Sequence, residues 1–187
     1  MKRRKFIRGG AVLIGATAAG QLPGVWRGWA EGQLDWSRHP TPEISPIGDF
    51  YAISKGFFDP RISLDGWSLA VGGLVKHPKM FDLSSLAALD HHEEVIGLEC
   101  VGNRVGGDAL DCAVWVGTRF DRLVEAVEPR ASVVDVVFYA ADGYSDSVRL
   151  SWLQANYALL AYRMNGEPLT RSHGYPVRLL TPGIYGM

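Results

Sequence analysis

The chain predicts an α+β fold, strand-rich and mixed, and three observations carry that expectation. Short runs of alternating or continuously apolar residues recur along it. Gly, Asn and Asp turn signals separate those runs. The two helical patterns fall among the strands without a regular βαβ repeat.

In order, Trp67 to Val71 alternates as a strand should, and Gly72-Gly73 then allows a bend. Asp82 stands where an N-cap would open a short helix through Leu89, with Leu83, Leu86 and Ala87 on one side. Val95 to Cys100 and Ala113 to Val116 are the next strands. Thr118 is placed to cap a helix whose Phe120, Leu123, Val124 and Val127 fall at helical spacing, closed by Pro129. Val133 to Ala140 is β-branched and aromatic and predicts a central strand. Asp142-Gly143 turns it, with Val148 to Leu150 pairing back. Ala158 to Met164 and Val177 to Leu180 complete the strands, with Asn165-Gly166 as another turn. No internal repeat or low-complexity tract is evident.

A length of 187 residues with 47% hydrophobic and 21% charged content suits one ordinary domain. Charge is unevenly spread. Residues 1–30 hold six basic and no acidic side chains, leaving 13 basic and 20 acidic in the remainder, a net −7 there. A body so acidic gives no electrostatic reason to expect nucleic-acid binding.

The paired arginines of Arg3-Arg4-Lys5-Phe6-Ile7, the mildly apolar Gly9 to Leu22 and Ala30 before Glu31 predict a twin-arginine-type signal peptide over 1–30. That expectation brings the twin-arginine export machinery as a partner and a periplasmic or otherwise exported location. A short membrane anchor is the competing reading, because Gly9 to Trp26 is 18 uncharged residues; its Gly, Thr and Gln content weakens that reading. Residues 31–48, with Pro40, Pro42 and Pro46, predict an extended linker or wrapping arm, and 49–187 the domain proper.

Cys100 is the most informative residue. It ends an apolar strand and precedes the turn signal Gly102-Asn103, which sets a thiol at the lip of a pocket. A thiolate there is a soft ligand for a soft metal; a buried structural cysteine, or a bridge to Cys112, is the plainer alternative. A domain with this much apolar material hardly needs the bridge.

Taken together, the motifs resemble the molybdopterin-binding domain of the sulfite oxidase family from about Phe50 onward. The blocks are Glu99-Cys100-Val101-Gly102-Asn103-Arg104, Gly106-Gly107 leading to Ala113-Val114-Trp115-Val116-Gly117, and Ala141-Asp142-Gly143-Tyr144-Ser145. They continue with Ala161-Tyr162-Arg163-Met164-Asn165-Gly166-Glu167-Pro168-Leu169, then His173-Gly174-Tyr175-Pro176-Val177-Arg178, Pro182-Gly183 and Tyr185-Gly186. Each block is weak alone; their order and spacing make the resemblance specific.

The resemblance implies the family's fold and one molybdenum-molybdopterin per chain, with Cys100 as the catalytic position and the metal's protein ligand. It implies an oxidoreductase moving one oxygen atom to or from a small, sulfur-containing or similar substrate. Arg178 suits the pterin phosphate through its forked donors, and His173 matches a cofactor-contact position, with Gly174 letting backbone come near. Asp142 matches another contact position, its rival role being to cap its own turn. Phe50, Tyr51, Ala52 and Ser54 align with the segment touching the pterin near the metal; Asn103, Arg104 and Gly186 complete the implied cofactor set.

Two departures bear on substrate. Sulfite oxidases carry an arginine in the segment matched by Tyr51-Ala52-Ile53 and a second where Val105 stands, cations that serve a small dianion. The Phe50-Tyr51 pair is closer to the exported sulfoxide-reductase branch, which takes electrons from a membrane haem subunit. Gly102-Asn103-Arg104 and His173 lean toward sulfite oxidases, for which a cytochrome is the electron partner. The family pattern also continues beyond Gly186, so the resemblance implies a C-terminally incomplete domain. The alternative function is therefore a degenerate or truncated relative acting as a non-catalytic binding module.

Overall fold

The structure is a computed structural model that describes residues 43–54 and 59–186. The signal-peptide expectation for residues 1–30 and most of the proline-rich arm lie outside the described residues.

An antiparallel sheet organises the domain. Its strands are β3 (His92–Glu99), β4 (Leu110–Arg119), β7 (Leu159–Met164), β8 (Glu167–Pro168) and β9 (Arg178–Leu180). They run in the order β3-β4-β7, with β8 and β9 both pairing β7. Two hairpins stand apart from it, β1 (Leu69–Val71) with β2 (Lys79–Phe81), and β5 (Asp135–Tyr139) with β6 (Ser145–Arg149). Three short helices, α1 (Leu83–Ala87), α2 (Phe120–Val127) and α3 (Leu150–Ala155), accompany a 3₁₀ turn at Arg171–His173. This is the strand-rich α+β arrangement the sequence predicts.

Period-two alternation along the strands divides the core into two clusters. One gathers Ile96, Leu98, Ala113, Trp115, Leu159, Ala161, Met164 and Leu180, and Phe50 and Leu169 pack into it. The other gathers Leu160 with Phe81, Leu86, Phe120, Leu123, Val127 and Leu153 from the helices and small hairpins. Gly117 sits at a register shift between β4 and β7, where a side chain would strike the Leu160 backbone. The bulge therefore needs glycine.

Several local expectations hold. The Asp82 carboxylate accepts from Ser85 N at 2.7 Å and opens α1. Those bonds hold its pKa at about 2. Asn165 and Gly166 make their turn at φ 50° and 84°, and Gly143 turns β5 into β6 at φ 80°.

Others are corrected. Thr118 does not cap α2: Arg119 holds that position without a side-chain cap, and Glu128, left-handed at φ 47°, stops the helix before Pro129. Thr118 is instead fully buried in β4, where its Oγ1 donates to Leu86 O at 2.7 Å and ties α1 to the sheet. The run Val133 to Ala140 is not a central strand either. Only Asp135–Tyr139 is extended, paired with β6 alone, and one side of it stays exposed, including Tyr139. Leu150, expected in the returning strand, begins α3.

Candidate functional site

β3 delivers Cys100. Its backbone N–H donates to Ala109 O at 3.0 Å, continuing the β3–β4 ladder by one rung, and its carbonyl accepts from Asn103 N at 2.9 Å. The strand thus stops and a tight turn begins at this thiol. Cys100 and Cys112 are both free, so the disulfide alternative does not apply. Cys112 pairs across the ladder with Gly97, and its sulfur fills the space a Gly97 side chain would need.

Asn103 shapes the loop beneath the thiol. Its Oδ1 accepts from Ala109 N at 3.2 Å and its Nδ2 donates to Glu99 Oε1 at 3.3 Å. A side chain on Gly107 would run into that amide, at 2.5 Å. Arg104 is exposed, and its carbonyl accepts from Gly107 N at 2.8 Å.

A small pocket of about 60 Å³ is lined by Tyr51, Ala52, Ile53, Cys100, Ser172, Arg178 and Gly186. It brings together Cys100, Tyr51, Ala52, Arg178 and Gly186 from the sequence-derived set. Ile53, which belongs to the same aligned segment but is not among the candidate site residues, joins them, as does Ser172, which the motifs do not single out. The signal for Ser172 lay next door, since it immediately precedes His173. A wider groove of about 680 Å³ opens beside it, lined by Gly97, Glu99, Leu110, Trp152, Gly183, Ile184 and Tyr185. Glu99 and Tyr185 stand next to Cys100 and Gly186 in the chain, but the thiol itself lines the smaller pocket.

Tyr51 is the pocket's polar wall. Its ring stacks on Phe50 (centroids 5.4 Å apart, 18° between planes), which abuts Trp115 edge-on at 5.8 Å. The Tyr51 hydroxyl is buried and has no hydrogen-bond partner among the described residues. Burial pushes its phenol above the ordinary value; the Arg178 charge works in the opposite direction, and Cys100, Asp111 and Glu99 each add to the rise. The phenol is therefore a protonated donor across the neutral range.

Arg178 starts β9. Its stem lies on the backbone of Gly174, where a Cβ would come within 2.8 Å of the Arg178 Cβ. Gly174, at φ 97°, thus makes room for this arginine. Burial lowers the guanidinium pKa, and Tyr51 partly offsets the effect. The side chain is closely surrounded yet still partly accessible.

His173 is buried, 4% exposed, and lies behind this wall. Its Nε2 is 3.3 Å from Phe50 O, and its Nδ1 is 2.7 Å from Thr170 Oγ1. A carbonyl only accepts, so Nε2 carries the proton it donates. His173 therefore braces the Phe50–Tyr51 backbone and does not line the pocket. Ser54 donates to Asp59 and is exposed. Asp142 lies at the β5–β6 turn, exposed, its Oδ1 accepting from Tyr144 N at 2.8 Å, and is not among the pocket's residues.

These groups suit a metal carried on an anionic organic cofactor. Among the described residues no cluster of three or more His, Cys, Asp and Glu could grip a metal unaided, so Cys100 would serve as a single thiolate ligand to a metal held otherwise by its carrier. A partly buried cation, an unsatisfied hydroxyl and a glycine whose side chain would fill the space (a Cβ on Gly186 lies 2.9 Å from Tyr51 Oη) complete the cradle.

Fold and site together define a strand-rich α+β domain with one free thiol lining its small pocket. The chain belongs to the oxidoreductase molybdopterin-binding domain family, whose pattern matches residues 57–187. The sulfite oxidase family resemblance is thereby confirmed. The chain is 31% identical over 153 residues to the oxidoreductase YuiH of Bacillus subtilis, covering 82% of this chain and 75% of that one. It is 29% identical over 174 residues to sulfite oxidase of Arabidopsis thaliana, covering 76% of this chain but 44% of that protein. The sulfane dehydrogenase SoxCD of Paracoccus pantotrophus shares the fold, with a TM-score of 0.71 at 22% identity over 78% of this chain and 41% of that one.

Proposed function

We propose that this protein is a molybdopterin-dependent oxidoreductase that transfers an oxygen atom to or from a small sulfur-containing or similar substrate. The observation that carries the reading is the shared pocket of a free Cys100 thiol, the unsatisfied Tyr51 hydroxyl and Arg178. When bound, the cofactor supplies two-electron metal chemistry and the exchangeable oxygen.

The chain's residues do the rest. Cys100, as a thiolate, donates a soft sulfur ligand from a position fixed by the end of β3. Arg178 offers a fixed cation with forked donors to the cofactor's phosphate or another oxoanion. Tyr51, kept protonated by burial, would offer its O–H to an acceptor on the bound cofactor or substrate. Gly186 leaves the space between them open. Ile53 puts an apolar side chain at the pocket, which favours an uncharged substrate over a small dianion.

The test is metal analysis of the full chain produced in cells that make the cofactor, beside a Cys100→Ser variant. About one molybdenum per chain is expected in the parent and a large loss in the variant; equal retention by both removes Cys100 from its role. Spectra of reduced protein with a methyl sulfoxide, and of oxidised protein with sulfite, assign the direction of transfer. A membrane haem subunit or a cytochrome is the proposed electron partner. Residues 1–30 are read as a twin-arginine-type signal and the location as periplasmic or otherwise exported by that route. Accumulation of unexported precursor in cells lacking that translocase is the expected result.

A further inference from the structure

We propose that Asp111 is a positioning residue for the Cys100 pocket, its carboxylate suspending the Tyr51 backbone and the Ser45 hydroxyl from strand β4. Asp111 Oδ2 accepts from Tyr51 N at 2.8 Å, and its Oδ1 accepts from Ser45 Oγ at 2.6 Å. Sixty or more residues of chain separate the partners, so the carboxylate bridges parts of the fold that share no local structure.

The position in the strand makes this a built feature. Asp111 stands on the same side of β4 as Ala113 and Trp115, which are fully buried. An acid on an inward position costs free energy unless it is well satisfied. Here each oxygen takes a donor, and donors to a carboxylate make stronger bonds than donors to a neutral acceptor.

A second side chain supports the same segment. Asn165, at the β7–β8 turn, donates from Nδ2 to Ser45 O at 2.9 Å and accepts at Oδ1 from Val114 N at 2.9 Å. Ser45 N in turn donates to Cys112 O at 2.8 Å. Ser45 is thus pinned by three bonds, and Tyr51 hangs from the same carboxylate that holds it. His173 grips Phe50 O from the other side.

The consequence concerns Tyr51. Its ring forms a pocket wall, and its backbone N–H is anchored to the sheet through Asp111. If that bond is lost, the segment keeps the His173 contact to Phe50 O and its packing on the core, but the ring is freer to turn its hydroxyl toward water. The importance of this for cofactor retention rests on the reading of the pocket given above; the positional claim does not.

The experiment labels the tyrosines of the full chain with 3-fluorotyrosine, and a Tyr51→Phe variant assigns the Tyr51 signal. Exposure is read as the shift of that signal between light and heavy water, which responds to solvent contact and not to charge. Asp111→Ala is expected to raise the isotope shift to that of an exposed tyrosine while the melting temperature stays within a few degrees of the parent. Asp111→Leu, which is close in size but has no acceptor for Tyr51 N–H, provides the folded comparison if the alanine variant is unstable and should move the signal in the same direction. Ser45→Ala leaves the Tyr51 bond in place and should leave the signal where it was.

In cofactor-loaded protein the Asp111 variants should lose molybdenum roughly tenfold faster on dilution, the size of change a charge-assisted hydrogen bond supplies. A Tyr51 signal unmoved by both Asp111 variants overturns the proposal, as does an equal shift in Ser45→Ala. Because the fluorine measurement needs no cofactor, its failure is separate from a failure of the cofactor reading, which shows as metal content indifferent to Cys100→Ser.

Discussion

Tyr51 and Arg178 converge over Gly186: a methyl group placed there would lie 2.9 Å from the Tyr51 hydroxyl and 3.8 Å from an Arg178 terminal nitrogen. The glycine's own N–H donates to Glu99 O at 2.8 Å, one residue before the thiol. Ring, cation and thiol thus border one small space, and a buried hydroxyl left without a partner costs about 1–3 kcal/mol until a ligand supplies one. On the proposed reading, the purpose of that space is to admit part of the cofactor.

Gly186→Ala tests that purpose. The Tyr51 ring is stacked on Phe50 and cannot swing aside freely, so the methyl must displace ring or chain at a cost of about 1–3 kcal/mol. Cofactor retention, measured as molybdenum content and released pterin fluorescence, should fall roughly tenfold or more. Retention equal to the parent would mean that this space is not the cofactor's.

Arg178→Lys separates a forked cation from a mere positive charge. Lysine keeps the charge but loses the planar pair of donors. Cofactor affinity should drop by about 1.5–3 kcal/mol, the worth of a hydrogen bond to a charged group. Equal affinity in the lysine variant would show that only charge matters at this position.

Much of this arrangement was legible because it is local. Asp82 announces its cap, Asn165-Gly166 and Asp142-Gly143 announce their turns, and the block around Cys100 announces a strand that ends at a thiol. What failed was tertiary. The run Val133 to Ala140 has every intrinsic mark of a central strand, yet hydrophobicity does not say which sheet receives it; Phe138 turns out to pack on Phe120 of α2. Thr118 illustrates the opposite error, since a hydroxyl suited to capping a helix is equally suited to donating to a distant carbonyl.

Within the site, the grouping of Cys100, Tyr51, Ala52, Arg178 and Gly186 was legible from ordered motifs. Asp111 was not, because the apolar run that marks the strand covers only Ala113 to Val116, and nothing in the sequence shows that β4 begins at Leu110 and turns this acid inward. His173 shows why motif alone stops short, because both of its nitrogens are engaged by Thr170 and Phe50 and its influence on the pocket passes through backbone.

Trp115 links that pocket wall to the core. It is fully buried, donates from Nε1 to Ile96 O at 3.1 Å, and meets Phe50 edge-on. Trp115→Ala should lower stability by about 3–5 kcal/mol, read from urea denaturation. It should also increase solvent contact of Tyr51, whose stacking partner loses its support. A loss well below 1 kcal/mol would show that the cluster around Phe50 collapses to fill the space without strain.

Asp82 gives the structure a predictable response to acid. Its carboxyl is held down, to about 2 from an ordinary 3.8, first by the Ser85 backbone N–H and then by the Ser85 and Ser84 hydroxyls. A carboxyl depressed in the folded state binds its proton more readily when the chain unfolds. Its contribution is therefore complete above pH 3.8 and lost as pH falls through about 2. Asn at this position still caps but carries no charge, so Asp82→Asn should lower the melting temperature at neutral pH and converge with the parent across that acid window. The effect reaches the core because α1 carries Leu86, fully buried, and Leu86 O is the acceptor for Thr118 of β4. Melting curves of the two proteins at intervals between pH 2 and pH 5 decide the matter; a gap that stays constant down to the lowest pH would show that the charge on Asp82 contributes nothing to holding α1 on the sheet.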